Sequence, residues 1–93
     1  MYNVKLSSRY RTAFKRISRH KDFDKRELER VIKLLAQDET LEIQHRDHQL
    51  TGEFRDYREC HVQNDILLMY RKDKKVLYLL LIDLGSHSEL FGK

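Results

Sequence analysis

The sequence predicts an α+β fold in which an antiparallel sheet of about four strands carries two N-terminal helices on one face. Apolar residues recur at helical spacing over the first third of the chain, and the period changes to two from Phe54 onward. The last apolar run, Val76 to Ile82, is apolar on both faces, which is typical of a central strand. The chain has 93 residues, enough for a modest core, so we expect one domain over residues 1–93.

The N-terminal third predicts a strand followed by a helical hairpin. Tyr2 to Leu6 alternates as a short strand does, and Ser7 or Ser8 can then cap a helix. Asp24, with Glu27 three residues later, predicts the start of a second helix. The two apolar stripes are Tyr10, Ala13, Phe14 and Ile17, then Leu28, Val31, Ile32 and Leu35.

Residues 37–52 are polar and irregular, and a loop of this length in a small domain is often functional. We expect Leu41, Ile43 and Leu50 to anchor it on the core.

The second half of the chain predicts three strands joined by hairpins. Alternation along 54–62 groups Arg55, Tyr57, Glu59 and His61 on one face, and Asp56, Arg58, Cys60 and Val62 on the other. After a turn at Gln63-Asn64, strands are predicted over 65–71 and from 76 to about 84. Gly85 then turns the chain, and the spacing of Ser86 and Glu89 predicts a capped helical turn. Both helices cover one face of the sheet, which leaves the other face for a site.

Composition and charge narrow the class of protein. The net charge is +4, and most of the basic residues of the first half crowd the two helices. Such helices can neutralise phosphates, but a charge run taken alone is more often a solvated helix face. The single cysteine, Cys60, excludes an intrachain disulfide. No apolar stretch is long enough for a bilayer and none resembles a signal peptide, so we expect a cytoplasmic protein without a membrane partner.

Three histidines are positioned for chemistry on a phosphodiester. His61 and Asp65 flank a tight turn, Glu59 shares a strand face with His61, His87 follows the central strand, and His48 lies in the polar loop. RNA cleavage by its own 2′-hydroxyl needs a base, an acid and positive charge, and histidines can fill the first two roles. Arg58 or Arg55 could supply the charge, and Phe91 could stack on a base.

Each of these residues also has a purely structural interpretation. A strand histidine alone is more often hydrogen-bonded than catalytic, Phe91 alone is a C-terminal staple, and Cys60 is a small core residue. His45, Asp47 and His48 fit no strong zinc signature, so no metal ligand is predicted.

Four motifs together resemble the YafQ branch of the RelE/ParE toxin superfamily. They are Arg46-Asp47-His48-Gln49-Leu50-Thr51-Gly52, Tyr57-Arg58-Glu59-Cys60-His61-Val62, Asp65-Ile66-Leu67-Leu68-Met69-Tyr70, and Leu84-Gly85-Ser86-His87-Ser88-Glu89-Leu90-Phe91. The resemblance implies a bacterial type II toxin with a RelE-like, microbial ribonuclease-type fold. It implies a ribosome-dependent endoribonuclease that cuts A-site mRNA without a metal or other cofactor.

The resemblance also implies partners and site residues. A DinJ-like antitoxin with a ribbon-helix-helix part would hold the toxin inactive, and the basic helices would contact ribosomal RNA. Active-site positions of the family fall on His48, His61, Asp65, His87 and Phe91, with Glu59 at an acidic position beside His61.

One position departs from the family pattern and keeps alternatives open. Asp83 stands where many relatives have an arginine, and an aspartate there would repel phosphate. The alternative function is a catalytically weakened or inactive member that acts as a ribosome- or antitoxin-binding module. A third possible function is that of a gyrase-poisoning relative of the ParE branch, which the terminal histidine disfavours.

Overall fold

The computed structural model describes residues 1–92, in which five strands form one sheet. The elements in chain order are β1 (Asn3–Leu6), α1 (Ser8–Ile17), α2 (Lys25–Ala36), β2 (His48–Gln49), β3 (Arg58–Gln63), β4 (Ile66–Asp73), β5 (Tyr78–Gly85) and α3 (His87–Phe91). Single 3₁₀ turns over Ile43–His45 and Gly52–Phe54 precede and follow β2. The strand order is β1-β5-β4-β3-β2, with β1 parallel to β5 and the other neighbours antiparallel.

The predicted α+β class is confirmed, and the sheet gains a fifth strand from the polar loop. β2 has two residues, His48 opposite Glu59 and Gln49 opposite Arg58. A two-residue strand has no measurable periodicity, so only the pairing with β3 reveals it.

Side-chain caps start all three helices where the sequence predicts. Ser7 Oγ accepts from the Tyr10 amide at 3.0 Å and donates to the Ile82 carbonyl at 2.6 Å, which ties α1 to β5. Asp24 accepts from the Glu27 amide at 3.0 Å. Each cap satisfies an amide that the first helical turn leaves free.

The two faces of the sheet carry different apolar clusters. The main core lies between the sheet and α1 and α2, and includes the fully buried Val31, Leu68 and Leu79. A smaller cluster of Leu67, Met69 and Leu90, with partly buried Leu50, Phe54, Tyr57, Ile82 and Phe91, covers the opposite face. This second face carries the candidate site.

The segment between α2 and β3 is anchored differently from the prediction. Leu41 is buried and Leu50 packs on the smaller cluster, but Ile43 is 93% exposed, so its predicted anchoring role is wrong. Ile43 begins a 3₁₀ turn whose inward residue is His45. No helix in the described range 1–92 is long and apolar enough to cross a membrane.

Candidate active site

A cavity of about 280 Å³ opens on the face of the sheet away from α1 and α2. β2, β3, α3 and the 3₁₀ turn before β3 each contribute residues to it. We call it the histidine cavity; its lining is His48, Leu50, Thr51, Phe54, Glu59, His87 and Phe91. Four of the residues that the sequence singles out, His48, Glu59, His87 and Phe91, therefore meet in one place, although they come from distant segments of the chain.

Glu59 lies at the base of this cavity between two imidazoles. Its side chain is 2% exposed, and its Oε1 lies 3.6 Å from His48 Nε2 and 3.7 Å from His61 Nε2. These separations suit an ion pair rather than a direct hydrogen bond. Oε2 is buried and has no hydrogen-bond partner among the described residues. Burying an anion is unfavourable unless a cation faces it, and the Glu59 carboxylate favours the charged form of the His61 ring.

The ring of His48 is held in one orientation by its own loop. Nδ1 lies 2.6 Å from the Arg46 carbonyl, which can only accept, so Nδ1 carries the proton and Nε2 faces Glu59. Arg46 has the left-handed φ of 49°, an uncommon conformation for a non-glycine residue. The bend therefore aims its carbonyl at the ring of the residue two positions later.

His61 is the most enclosed of the three catalytic candidates. Partial burial lowers its pKa below the ordinary 6.5, because the charged ring is poorly solvated. The nearby positive charges of Arg46, His48 and His87 lower it further, while the Glu59 carboxylate opposes them. His61 does not line the histidine cavity but joins it through Glu59.

The short helix α3 brings His87 and Phe91 to the cavity together. Ser86 and Glu89 form the predicted capping box, and Asp65 Oδ1 accepts from the His87 amide at 3.2 Å. The Phe91 ring centroid lies 5.0 Å from that of His87 and 5.2 Å from that of Phe54, the latter in an edge-on contact. Asp65 thus contacts the backbone at the start of α3 and lines a different cavity.

α1 braces α3 from the other side. Arg16 Nη1 lies 3.0 Å from Glu89 Oε2, while the other oxygen, Oε1, accepts from the Ser86 amide at 2.8 Å. Gly85 has a φ of 157°, and a Cβ at this position would lie 2.7 Å from Glu89 Oε1. The glycine therefore leaves the room that the capping carboxylate occupies.

The arginines expected to contact phosphate lie elsewhere. Arg58 Nε donates to the Tyr70 hydroxyl at 3.1 Å and lies 3.4 Å from Asp47 Oδ1, on the helix-covered face. Strand alternation requires this, since Arg58 shares its face with buried Cys60 rather than with His61. Arg55 belongs to the turn before β3, which begins only at Arg58, so the predicted strand face does not extend to it. The structure therefore corrects the predicted placement of both arginines.

Asp83 lies outside the histidine cavity. A register shift in the β4–β5 pairing precedes it, and its Oδ2 forms an ion pair of 2.9 Å with Arg9 Nη2 of α1. Its Oδ1 accepts from the Leu84 amide. The aspartate is neutralised beside α1, so it does not point a free negative charge into the cavity.

The sequence did not identify several residues that build the site. Leu50 and Thr51 line the cavity from the polar loop, which carries no periodic signal, and Phe54 lines it from a 3₁₀ turn where a strand was predicted. His45 is 3% exposed, and its Nδ1 donates to the His61 carbonyl at 2.5 Å. His45 Nε2 lies 3.1 Å from Glu27 Oε2 and 3.1 Å from Arg30 Nη2. A buried histidine that supports a second one is visible only once β3 and α2 are packed.

Two features of residues 1–92 concern the metal-ligating and thiol side chains. No group of three or more His, Cys, Asp and Glu side chains in that range is arranged to hold a metal ion. Cys60 is fully buried, and desolvation raises the pKa of its thiol. A thiol that stays protonated is a poor nucleophile.

Comparison with known proteins defines the class of this site. A family model described as the bacterial toxin of type II toxin-antitoxin system, YafQ, matches residues 2–92. The Escherichia coli K12 mRNA interferase toxin YafQ is 36% identical over 75 residues, which cover 80% of this chain and 77% of that protein. The fold and the family match define a toxin of a bacterial type II toxin–antitoxin system. Within that class, the chain belongs to the YafQ family.

Solved structures agree with this assignment over nearly the whole chain. The crystal structure of a metal-bound toxin from Helicobacter pylori has a TM-score of 0.90 at 37% identity, and covers 98% of this chain and 100% of that one. A chain of the Escherichia coli DinJ-YafQ toxin-antitoxin complex has a TM-score of 0.84 at 27% identity, with 98% of each chain covered.

Proposed function

We propose that this toxin is an endoribonuclease that cuts mRNA on the ribosome and uses the RNA 2′-hydroxyl as the nucleophile. The observation that carries the proposal is the pair of imidazoles, His48 and His61, at 3.6 and 3.7 Å from one buried oxygen of Glu59, with His87 lining the cavity that His48 and Glu59 share. The name of the Escherichia coli relative, mRNA interferase, supports the substrate.

The proposed reaction transfers two protons and breaks one bond. His61, whose pKa is lowered, is neutral near pH 7 and can accept the proton of the 2′-hydroxyl. The 2′-oxygen then bonds to phosphorus, and the P–O5′ bond breaks as His87 donates a proton to the leaving 5′-oxygen. The products are a 2′,3′-cyclic phosphate and a 5′-hydroxyl. The Glu59 carboxylate stabilises the charge on His61 as the ring becomes protonated, and His48, held by Arg46, faces the same carboxylate.

Aromatic rings give the cavity a means of positioning the substrate. Phe91 and Phe54 contact each other edge-on beside His87, and an exposed ring face there can stack on a base. Stacking would hold the 2′-oxygen, the phosphorus and the leaving oxygen in line. Asp65 acts on this arrangement through the backbone of α3, as a positioning residue.

A sulfur-substituted substrate tests the two proton-transfer roles separately. We expect His61→Ala and His87→Ala each to lower cleavage of translated mRNA by about 10²–10⁴-fold. A 5′-bridging phosphorothiolate has a leaving group that needs no acid, so it should restore cleavage by the His87 variant but not by the His61 variant. Thr12→Ala, on an exposed face of α1, is the control. Full activity of both histidine variants on ordinary mRNA would contradict the mechanism.

A second candidate function is a toxin that binds the ribosome without cutting. It is favoured by the lining of the histidine cavity, where the described residues include neither lysine nor arginine. Primer extension on translated mRNA separates the two candidates, because a binder stalls ribosomes without creating new 5′ ends.

The proposed partner is a DinJ-like antitoxin with a ribbon-helix-helix part. The support is the solved DinJ-YafQ complex, one chain of which matches 98% of this chain. An acidic segment would complement the +4 net charge of the toxin. The toxin would act in the bacterial cytoplasm, where translating ribosomes are found. Co-expression of the neighbouring reading frame, followed by co-purification and loss of cleavage, tests this partner.

A further inference from the structure

A second cavity adjoins His61 and shares no lining residue with the histidine cavity. It has a volume of about 360 Å³ and lies between the 3₁₀ turn at 43–45 and the β3–β4 turn. We call it the amide cavity; the lining residues used here are Glu27, Gln44, Arg46, His61, Gln63 and Asn64. His61 lies between the two cavities, because its ring lines this one and faces Glu59 of the other.

The chemistry of the amide cavity suits a nucleobase. Gln44 and Asn64 are exposed, and among the described residues neither side chain makes a hydrogen bond. The Gln63 amide is already occupied, since it accepts from the Asp24 amide at 2.6 Å and donates to the Asp22 carbonyl at 2.9 Å. Two free carboxamides, each with donors and an acceptor, can pair with the edge of an unstacked base.

The charge around the amide cavity suits a phosphate. Arg46 is exposed, and its guanidinium is close enough to His61 to lower the pKa of that ring. The one carboxylate in the lining, Glu27, is neutralised by the guanidinium of Arg30 at 2.9 Å. The local charge at the amide cavity is therefore positive, which suits the phosphate of an RNA backbone that continues past His61.

The backbone of the β3–β4 turn does not account for an asparagine at position 64. Asparagine is frequent in tight turns because it tolerates a left-handed backbone. The non-glycine residues with positive φ within 1–92 are Asp38, Arg46 and Leu77, so Asn64 does not use that tolerance. A β-bulge between His61 and Gln63 redirects this end of β3.

We propose that the amide cavity binds the nucleotide next to the cleaved phosphodiester and sets the sequence preference of the nuclease. The inference rests on the proposed function, since it assigns a subsite to the same RNA. The reacting phosphate lies among the three histidines, Phe91 contacts one flanking base, and Gln44 and Asn64 read the other.

Alanine variants of the two amides test this subsite on translated mRNA. We expect Gln44→Ala and Asn64→Ala each to reduce the ratio between strongly and weakly cut codons by about fivefold, the effect of one hydrogen bond. Cleavage at the best codon is mapped by primer extension with the whole protein and translating ribosomes. Gln37→Ala and Asn3→Ala remove exposed amides that line neither cavity, and their cleavage patterns should match the wild type.

The outcomes separate the subsite from the nuclease itself. A wild-type protein that creates no new 5′ ends overturns the proposed function and the subsite together. A cutting wild type whose pattern is unchanged in both variants overturns the subsite alone. Unchanged cleavage with weaker antitoxin binding would assign the cavity to the antitoxin instead. If Asn64→Ala does not fold, Asn64→Asp keeps a turn residue while removing the amide donor.

Discussion

Glu59 is a buried carboxylate whose effect on its neighbours can be measured directly. Its carboxylate raises the pKa of His61, against the lowering by burial and nearby positive charge. Replacing Glu59 with glutamine removes the raising contribution and keeps the shape, so we expect the His61 pKa to fall further below 6.5. An NMR titration of the His61 ring protons measures this.

The pH dependence of cleavage should follow the pKa of His61, with the rate falling toward acid pH. A neutral His61 is needed as the base, so the rate falls as the pH drops through the His61 pKa. Because that pKa is lowered, the acid limb of the profile lies below pH 6.5, and Glu59→Gln moves it lower still. Glu53→Gln, an exposed charge change in the 3₁₀ turn before β3, should leave the limb in place. An upward shift in Glu59→Gln would refute the assigned coupling.

Residue types alone identified most of the histidine cavity but not the placement of the arginines. The residues that meet there include His48, Glu59, His87 and Phe91. They could be predicted because titratable and aromatic residues at strand ends are informative without coordinates. Arg58 was assigned by charge, although alternation with Cys60 already placed it on the core face. His45 and Arg46 could not be found, because their roles depend on a hydrogen bond to β3 and on one backbone angle.

At the scale of elements, the capped helix α3 carries the proposed catalytic ring of His87 and the proposed stacking ring of Phe91 in five residues. A helix this short has little intrinsic stability and depends on its cap and its contacts. Glu89 serves both, with one oxygen on Ser86 and the other on Arg16. The position of His87 therefore depends on α1 as well as on its own helix.

Variants of this brace should lower activity more than stability. We expect Glu89→Ala to reduce the free energy of unfolding by about 1 kcal/mol, a typical effect of a lost cap, and to lower cleavage because His87 and Phe91 lose their fixed position. Gly85→Ala should act in the same direction, since its Cβ would displace the Glu89 carboxylate. Denaturant unfolding and primer extension measure the two effects.

A matched substitution on α1 separates the cap from the ion pair. Arg16→Gln removes only the exposed pair with Glu89, and such pairs contribute about 0–1 kcal/mol. The cleavage activity of Arg16→Gln should therefore lie between that of the wild type and that of Glu89→Ala. Wild-type cleavage by Glu89→Ala would show that α3 keeps its place without the brace.

The helices were predictable because each carries a full apolar stripe and its own cap, which are local features. Ser7, Asp24 and Ser86 are the observed N-caps, as the sequence indicates. The two-residue β2 and the bulges in β3 and β5 were not predictable, because they depend on pairing between distant segments. The site was therefore foreseen as a set of residues and not as a geometry.

At the scale of the whole molecule, the basic surface of α1 is free to meet a polyanion. Arg9 and Arg16 are used internally, with Asp83 and Glu89. Arg11 and Lys15 are exposed, lie one turn apart on one helix face, and make no ion pair with the other described residues. On the proposed function, this face contacts ribosomal RNA.

Charge reversal tests that role against a variant of equal net charge. We expect Arg11→Glu combined with Lys15→Glu to weaken ribosome binding and to reduce its salt dependence by about one unit of slope for each lost phosphate contact. Lys74→Glu with Lys75→Glu alters the β4–β5 turn, at the other end of these strands from Gly85. Co-sedimentation with ribosomes over a salt series distinguishes the two double variants. An equal loss of ribosome binding in both variants would show that only the total charge matters.

The parallel pairing of β1 with β5 also bears on how the toxin is made. The first strand synthesised aligns with the last, from Asn3 opposite Tyr78 to Leu6 opposite Leu81, and Ser7 bonds the Ile82 carbonyl 75 residues away. Contacts this distant in sequence form late and slowly, so the sheet cannot close until β5 has been synthesised. Because α3 follows β5 directly, His87 and Phe91 reach the histidine cavity only once this pairing has formed, so the site is completed at the end of folding.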